Sequence, residues 1–183
     1  VNNILDPVSG GGTAERTLQL SRAMALRGAN CTVLTLDIGV DRHVRSKAGN
    51  VRLVALPCRI KRHFVPVPSW DTISELVLEA DIVQLMNHWT VINAMTFRCL
   101  QRSGKPYVVC PAGAIPVFGR SRALKIMYDL VVGRRIIRHS QRIIAVSRKE
   151  TSDILRYGVR PEMITVIPNG VDGSEYVARD DAG

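Results

Sequence analysis

The sequence predicts an α/β domain, with a parallel β-sheet and helices packed on both faces. Three observations carry this. Short β-rich runs alternate with longer amphipathic stretches along the chain. The breaks between them hold the glycine, proline and capping residues that start and stop such elements. The 183 residues, 46% hydrophobic and 22% charged, suit one core of ordinary composition rather than two full-size domains. Alternation at this spacing implies βαβ units. Right-handed crossovers then gather the loops after the strands along one edge, where such folds bind ligands.

The elements follow in order. Ile4-Leu5 ends a first short strand, and Gly10-Gly11-Gly12 is a turn. Residues 13–27 read as a helix, with Leu18, Leu20, Ala23, Met24 and Leu26 at a period of about 3.6 residues. Thr13 can cap its start and Gly28 can end it. Strands are expected at 31–36 and 51–56, the second closed by Pro57. Residues 58–69 form a basic loop with Arg59, Lys61, Arg62 and His63. Thr72-x-x-Glu75 is a capping box opening a helix to about Glu79. A buried strand at 81–85 precedes a helix at 90–102 that ends at Gly104. Strand 106–110 leads into the Pro111-Ala112-Gly113 turn. A long basic, apolar helix spans 121–139, with a break expected near Gly133. Strand 142–146 is followed by a second capping box, Ser147-x-x-Glu150, whose helix runs to Tyr157. The last strand, 164–167, leaves through Pro168-Asn169-Gly170.

Composition bounds the partners. Lys+Arg 25 against Asp+Glu 16 leaves a net charge of +9. That admits nucleic acid, an anionic membrane surface or a phosphorylated small molecule. Aromatics are only 5% and do not interleave with the arginines, which argues against nucleic acid. Cys31, Cys58, Cys99 and Cys110 show no metal-ligand spacing and read as free thiols of a reducing, cytoplasmic setting. His43, His63, His88 and His139 are scattered, without the i,i+3 or i,i+4 pairs of a metal site, so no metal is expected. No apolar run approaches the roughly 18 residues of a membrane span. The chain opens at Val1 without an initiator Met or a leader, and stops in the polar run Arg179-Asp180-Asp181-Ala182-Gly183. It is expected to be a piece of a longer protein.

Few motifs carry chemistry. Ser9-Gly10-Gly11-Gly12-Thr13 joins a strand to a helix, where free N–H groups and the dipole favour an anion. It is neither a dinucleotide fingerprint, since Glu15 stands at the third glycine, nor a phosphate-binding P-loop. A tight turn without a ligand fits it equally. His88 follows a strand end at the ligand edge, against the plain reading of a loop histidine bonded to backbone. Arg134, Arg135 and Arg138 belong to a basic amphipathic stretch suited to an anionic membrane or to the outer face of a packed helix.

Two stretches then resemble a known family. The tail is Ile143-Ile144-Ala145-Val146-Ser147-x-x-Glu150, then Tyr157-Gly158-Val159, then residues 164–172 reading Ile-Thr-Val-Ile-Pro-Asn-Gly-Val-Asp. The front is residues 9–16, an amphipathic helix, Arg27-Gly28-Ala29-Asn30 and Val33-Leu34-Thr35. Together they resemble the N-terminal half of retaining glycosyltransferases of family 4, which have the GT-B fold. The resemblance implies a Rossmann-like domain that mainly holds the acceptor. It faces a C-terminal domain that holds the nucleotide sugar and carries paired glutamates. It further implies a nucleotide sugar as co-substrate, no required metal and no cofactor bound by this half alone.

Residue by residue, Gly10, Gly11, Gly12 and Thr13 fall in the loop near the donor phosphate and acceptor. Arg16, Asn87, His88, Trp89, Ala112 and Gly113 fall along the acceptor-side cleft, and Asn169 and Gly170 at the turn to the second domain. One departure stands out. Many members carry Pro-His-Gly where this chain has Pro111-Ala112-Gly113. An alanine neither bonds a hydroxyl nor moves a proton, so His88 or Asn87 would have to take over, or this branch works without it.

The expected organisation is an acceptor-side domain over 1–172 and the start of a linker over 173–183. The expected function is sugar transfer from a nucleotide sugar to a glycan, lipid-linked or phosphorylated acceptor. The chain alone would be inactive, and its setting is the cytoplasm or its membrane surface. Two rivals stand beside it: a basic Rossmann-like module that docks without catalysis, and half of a GT-B sugar-nucleotide epimerase.

Overall fold

In a computed structural model of the protein, the described residues are 1–116 and 122–170, without the side chains of Pro7 and Val8. The strands are β1 (Thr32–Leu36), β2 (Arg52–Leu56), β3 (Cys58–Ile60), β4 (Val65–Pro66), β5 (Val83–Met86), β6 (Tyr107–Cys110), β7 (Arg142–Ala145) and β8 (Ile164–Val166). The helices are α1 (Pro7–Ala25), α2 (Arg42–Ala48), α3 (Trp70–Glu79), α4 (Val91–Ser103), α5 (Arg122–Tyr128), α6 (Arg134–Arg138) and α7 (Arg148–Leu155). A π-helical turn, Asp129–Gly133, joins α5 to α6.

Strands β5-β6-β7-β8 form one parallel sheet, and β1 pairs in parallel with β2. Residues 1–3 run between the two. The Val1 amine donates to Gln84 O at 2.6 Å and Met86 N returns a bond to Val1 O at 2.9 Å. On the other side, Asn2 N donates to Leu34 O and Leu36 N to Asn3 O. The step from Asn2 to Asn3 breaks the regular ladder, and the pairing stops short of Ile4-Leu5, where the first strand was expected to end. Ile4 and Leu5 are instead buried just beyond it.

Both sheet faces are covered. In β1, Leu34 and Leu36 face one side, packing in a core with Ile73 and Val77 of α3 and Ile92 and Phe97 of α4. Val33 points the other way, into a core with Leu18 of α1 and Val44 of α2. This period-2 switch between two apolar environments marks a strand buried on both faces. A third core gathers Ile137, Ile143, Ala145, Ile154 and Tyr157 around β7 and α7.

Several local expectations are corrected. The basic stretch after β2 is a small antiparallel hairpin, β3–β4, closed by a 3₁₀ turn at Lys61–His63 with Phe64 left-handed at φ 51°. Helix α2 had no apolar stripe to betray it, but Asp41 caps it by accepting from Val44 N. Thr72 lies inside α3, so its capping box does not form, and that helix begins after Ser69. Asp81 and Ile82 precede β5 and are exposed. The expected break near Gly133 is the π turn. Ser121, Val171, Asp172 and the linker 173–183 lie outside the described residues.

Polar side chains join the layers. Asn2 is fully buried. Its Nδ2 donates to Thr13 O and to Thr17 Oγ1, while its Oδ1 accepts from Asn87 Nδ2 at 3.1 Å. One amide therefore ties the central extended segment to α1 and to the loop after β5. Asn2→Ala is expected to lower stability by about 1–3 kcal/mol, because it leaves buried groups unpaired. Urea unfolding with an unchanged m-value checks this.

Candidate functional site

The C-terminal ends of the parallel strands bring four loops together, beginning with the glycine loop. Asp6 Oδ2 accepts from Ser9 N at 2.9 Å, so Asp6 caps α1. The expected cap, Thr13, instead donates its hydroxyl to Gly10 O at 2.8 Å. Gly10 is packed so closely that a Cβ there would meet Ile4 O at 2.9 Å. Gly11, at φ 53° and ψ −145°, breaks the helix, a conformation that L side chains rarely adopt. Gly11 and Gly12 are exposed, with open space where a Cβ would stand. The helix restarts just beyond the kink, on the solvent side of the sheet edge.

Two further loops hold left-handed residues. Asn87 has φ 65°. It is held there by its N–H on Cys110 O, its carbonyl under Asn93 Nδ2 and its own amide on Asn2. Ala112 has φ 54° and Gly113 φ 81°. Alanine in that region costs on the order of 1 kcal/mol. The turn is held by Glu150, a buried carboxylate. Its Oε1 accepts from Gly113 N at 2.6 Å and its Oε2 from Val146 N at 2.7 Å. The second capping box is thus half formed: Ser147 Oγ accepts from Glu150 N, while the Glu150 carboxylate turns to the neighbouring loop.

Arg16 is buried, at the wall of an open hollow between α1 and the chain leaving β8. Its guanidinium donates to Asn169 Oδ1 at 2.7 Å and to Ile167 O at 3.1 Å, holding the chain that leaves β8. Burial pushes the Cys110 thiol up to about 11; the Arg16 charge opposes this and Glu150 adds to it. Cys110 is therefore an inert thiol at neutral pH.

His88 is deeply buried. Its partners are side chains, not the backbone of the plain reading. Nε2 lies 2.8 Å from Asp129 Oδ1 and 3.2 Å from the Tyr157 hydroxyl, which itself donates to Asp129 Oδ2 at 2.8 Å. Burial first, then the bond to Asp129, raise the Tyr157 phenol, so it stays protonated and donates. A carboxylate at 2.8 Å puts the imidazole proton on Nε2, leaving Nδ1 buried without a partner. Gly133 makes room: a Cβ there would stand 3.0 Å from His88 Nε2 and closer still to Asp129. Trp89 packs on His88 at 4.5 Å and donates from Nε1 to Ala114 O. A hollow of about 310 Å³ opens beside Asp129 and Tyr157, walled by Arg134, Asp153 and Arg156.

The structure thus gathers Gly10–Thr13, Asn87, Ala112 and Gly113 at one edge and fixes Arg16 to Asn169. Arg134, Arg135 and Arg138 lie apart on α6, with Arg138 Nε donating to Tyr157 O at 2.6 Å. No cluster of three metal-ligating side chains occurs among the described residues. Sequence reasoning missed Asn2, Asp129, Glu150 and Tyr157 as site-builders. Asp129 left a signal as the one acid in the basic stretch from 120 to 142, and Glu150 as the acid of a capping box, though neither pointed to its partner.

A family profile described as "Glycosyl transferase 4-like domain" matches residues 11–170. The chain belongs to the glycosyl transferase 4-like domain family. Solved structures of Anabaena Alr3699/HepE share its fold. The complex with UDP and glucose aligns at TM-score 0.70 with 15% identity, over 96% of this chain and 45% of that one. The complex with UDP-glucose gives TM-score 0.67 and 15% identity over 96% and 44%. The UDP complex gives 0.66 and 15% over 93% and 43%. The chain therefore spans less than half the length of these structures. A search of curated proteins finds no match.

Two stability predictions follow from the geometry. Ala112→Gly is expected to gain up to about 1 kcal/mol by removing left-handed strain, whereas Gly113→Ala loses a similar amount. Gly133→Ala is expected to lose about 1–3 kcal/mol by overpacking the His88–Asp129 pair. Thermal melts of the three variants check both.

Proposed function

We propose that this chain is the acceptor-side domain of a retaining glycosyltransferase that moves a sugar from a nucleotide sugar to an acceptor hydroxyl. The observation that carries the reading is the match of the glycosyl transferase 4-like family across residues 11–170. The kinked glycine loop and the two left-handed turns at one sheet edge support it. In this reading the exposed amides after Gly11 face the leaving diphosphate, where a helix start favours negative charge. The loops at Asn87 and Ala112-Gly113 form the wall that holds the acceptor hydroxyl near the anomeric carbon.

His88 and the Asn87 amide are already committed to Asp129 and Asn2. Ala112 offers no donor. The domain accordingly contributes position and charge stabilisation rather than a proton. The partner is the protein's own C-terminal domain, joined through the turn at Asn169-Gly170 that Arg16 grips and the linker expected over 173–183. The co-substrate is a nucleotide sugar, with no metal assigned a role. The arginine-rich side favours a phosphorylated or lipid-linked acceptor. All four cysteines are free thiols, which supports a cytoplasmic setting.

The chain alone, given a nucleotide sugar and a hydroxyl acceptor, is expected to show no transfer in a product assay. Measurable turnover by the isolated chain would sink the two-domain account. In the full-length protein, Gly11→Ala is expected to cut turnover by roughly 10- to 100-fold, because it displaces the amide turn. It should cost only about 1–3 kcal/mol of stability. A variant with wild-type turnover would remove the loop from the site.

A further inference from the structure

The positive charge of this chain is concentrated in one stretch. Residues 38–70 hold seven Lys and Arg against a single acid, Asp41, in a chain of net charge +9. Asp41 is engaged in capping α2. Two of the seven cations are ion-paired, Lys47 with Glu15 and Arg52 with Glu79. The other five, Arg42, Arg45, Arg59, Lys61 and Arg62, are exposed and form no ion pair among the described residues.

The fold carries these five to the loop edge of the sheet. Helix α2 follows the C-terminal end of β1, and the β3–β4 hairpin follows that of β2. The hairpin packs Cys58 and Phe64 against the main core and leaves Arg59, Ile60, Lys61, Arg62 and His63 exposed. Just past β1, Asp37 Oδ1 accepts from Cys58 N at 3.0 Å and ties the hairpin to the loop before α2. In that loop Gly39, at φ 68°, packs on Asp6 with no room for a Cβ. Asp6 in turn caps the glycine loop. Two contacts thus join the cationic surface to the glycine loop. Trp70, at the start of α3 just beyond the hairpin, is 43% exposed.

We infer that this surface binds an anionic glycan, a chain of sugars bearing carboxylate or phosphate groups. That the glycan is the acceptor of the transfer rests on the transferase reading. The five cations are spread over two segments, which suits a ligand with repeated negative charge. Arginine forks match carboxylate and phosphate alike. The Trp70 ring offers an apolar platform for the C–H face of a sugar. Other polyanions fit less well. A nucleic acid strand asks for several aromatic platforms, and this surface has one. A bilayer asks for a broad apolar face, and the run from Arg59 to His63 holds only Ile60. A glycan laid along the hairpin would point its end toward the glycine loop, where that reading sets the leaving diphosphate.

The test is fluorescence anisotropy of the full-length protein with labelled oligosaccharides of matched length: an oligogalacturonate, a phosphomannan fragment and a neutral dextran fragment. At least one anionic chain is expected to bind at least about tenfold more tightly than dextran, and to weaken as salt rises. The two anionic arms tell carboxylate from phosphate. Arg59→Gln with Arg62→Gln should weaken that binding at least about tenfold, with an unchanged melting curve. Trp70→Ala should weaken it roughly threefold to tenfold. The same change of charge on exposed residues of α4, Arg98→Gln with Arg102→Gln, should leave it within about twofold. Anionic chains that bind no better than dextran overturn the inference, as does an α4 pair that weakens binding as much as the hairpin pair. So does a single-stranded oligonucleotide or an anionic vesicle that Arg59 and Arg62 hold more tightly than either glycan. Glycan binding of this pattern by a protein that transfers no sugar counts against the transferase reading and leaves the glycan site standing. Sugar transfer to a neutral acceptor without anionic binding does the reverse.

Discussion

The loop edge of this sheet rests on one buried carboxylate. Glu150 receives amide hydrogens from Gly113 and Val146, so a single side chain joins the turn after β6 to the turn after β7. Bonds from backbone N–H to an ionised carboxylate are among the stronger ones in proteins. The Gly113 bond fixes a turn that alanine at 112 would otherwise resist. The turn after β6 is thus held by a side chain that belongs to α7.

A second set of polar groups works the same way on the other side. Asn2, Thr13, Thr17, Asn87 and Asn93 form a buried chain of amides and hydroxyls linking α1, the central extended segment and the loop after β5. Arg16 extends it to the exit from β8. Apolar packing sets which faces meet, and these directional bonds set the height of each loop. Asn87 and Ala112, the non-glycine left-handed residues at the loop edge, both lie where such bonds converge.

The layers, most of the element order and the edge where the loops after the strands gather were legible from period and punctuation, because these depend on neighbours in sequence. Leu18 at helical spacing and Val33-Leu34 in a β-rich run announce their environments. The site was less legible. Asp6 and Thr13 are both capping types before the same helix, and only the packing of Gly10 on Ile4 O decides between them. Glu150 sits in a capping-box pattern, yet its carboxylate is claimed by Gly113, 37 residues away. His88 invited a catalytic reading by position, but Asp129 and Tyr157 reach it from 41 and 69 residues down the chain. Pairings across such separations leave no local trace.

The π turn at Asp129–Gly133 holds one residue more than α-helical winding would need, and the whole of α6 inherits its direction from that surplus. Were one residue of the turn lost, each position beyond it would take the place of its predecessor. The slots now filled by Ile136 and Ile137, both buried, would receive Ile137 and Arg138. A guanidinium would enter the core beside β7. The length of this segment is therefore a structural constant of the fold: substitutions along its outer face are tolerated, and deletions are not.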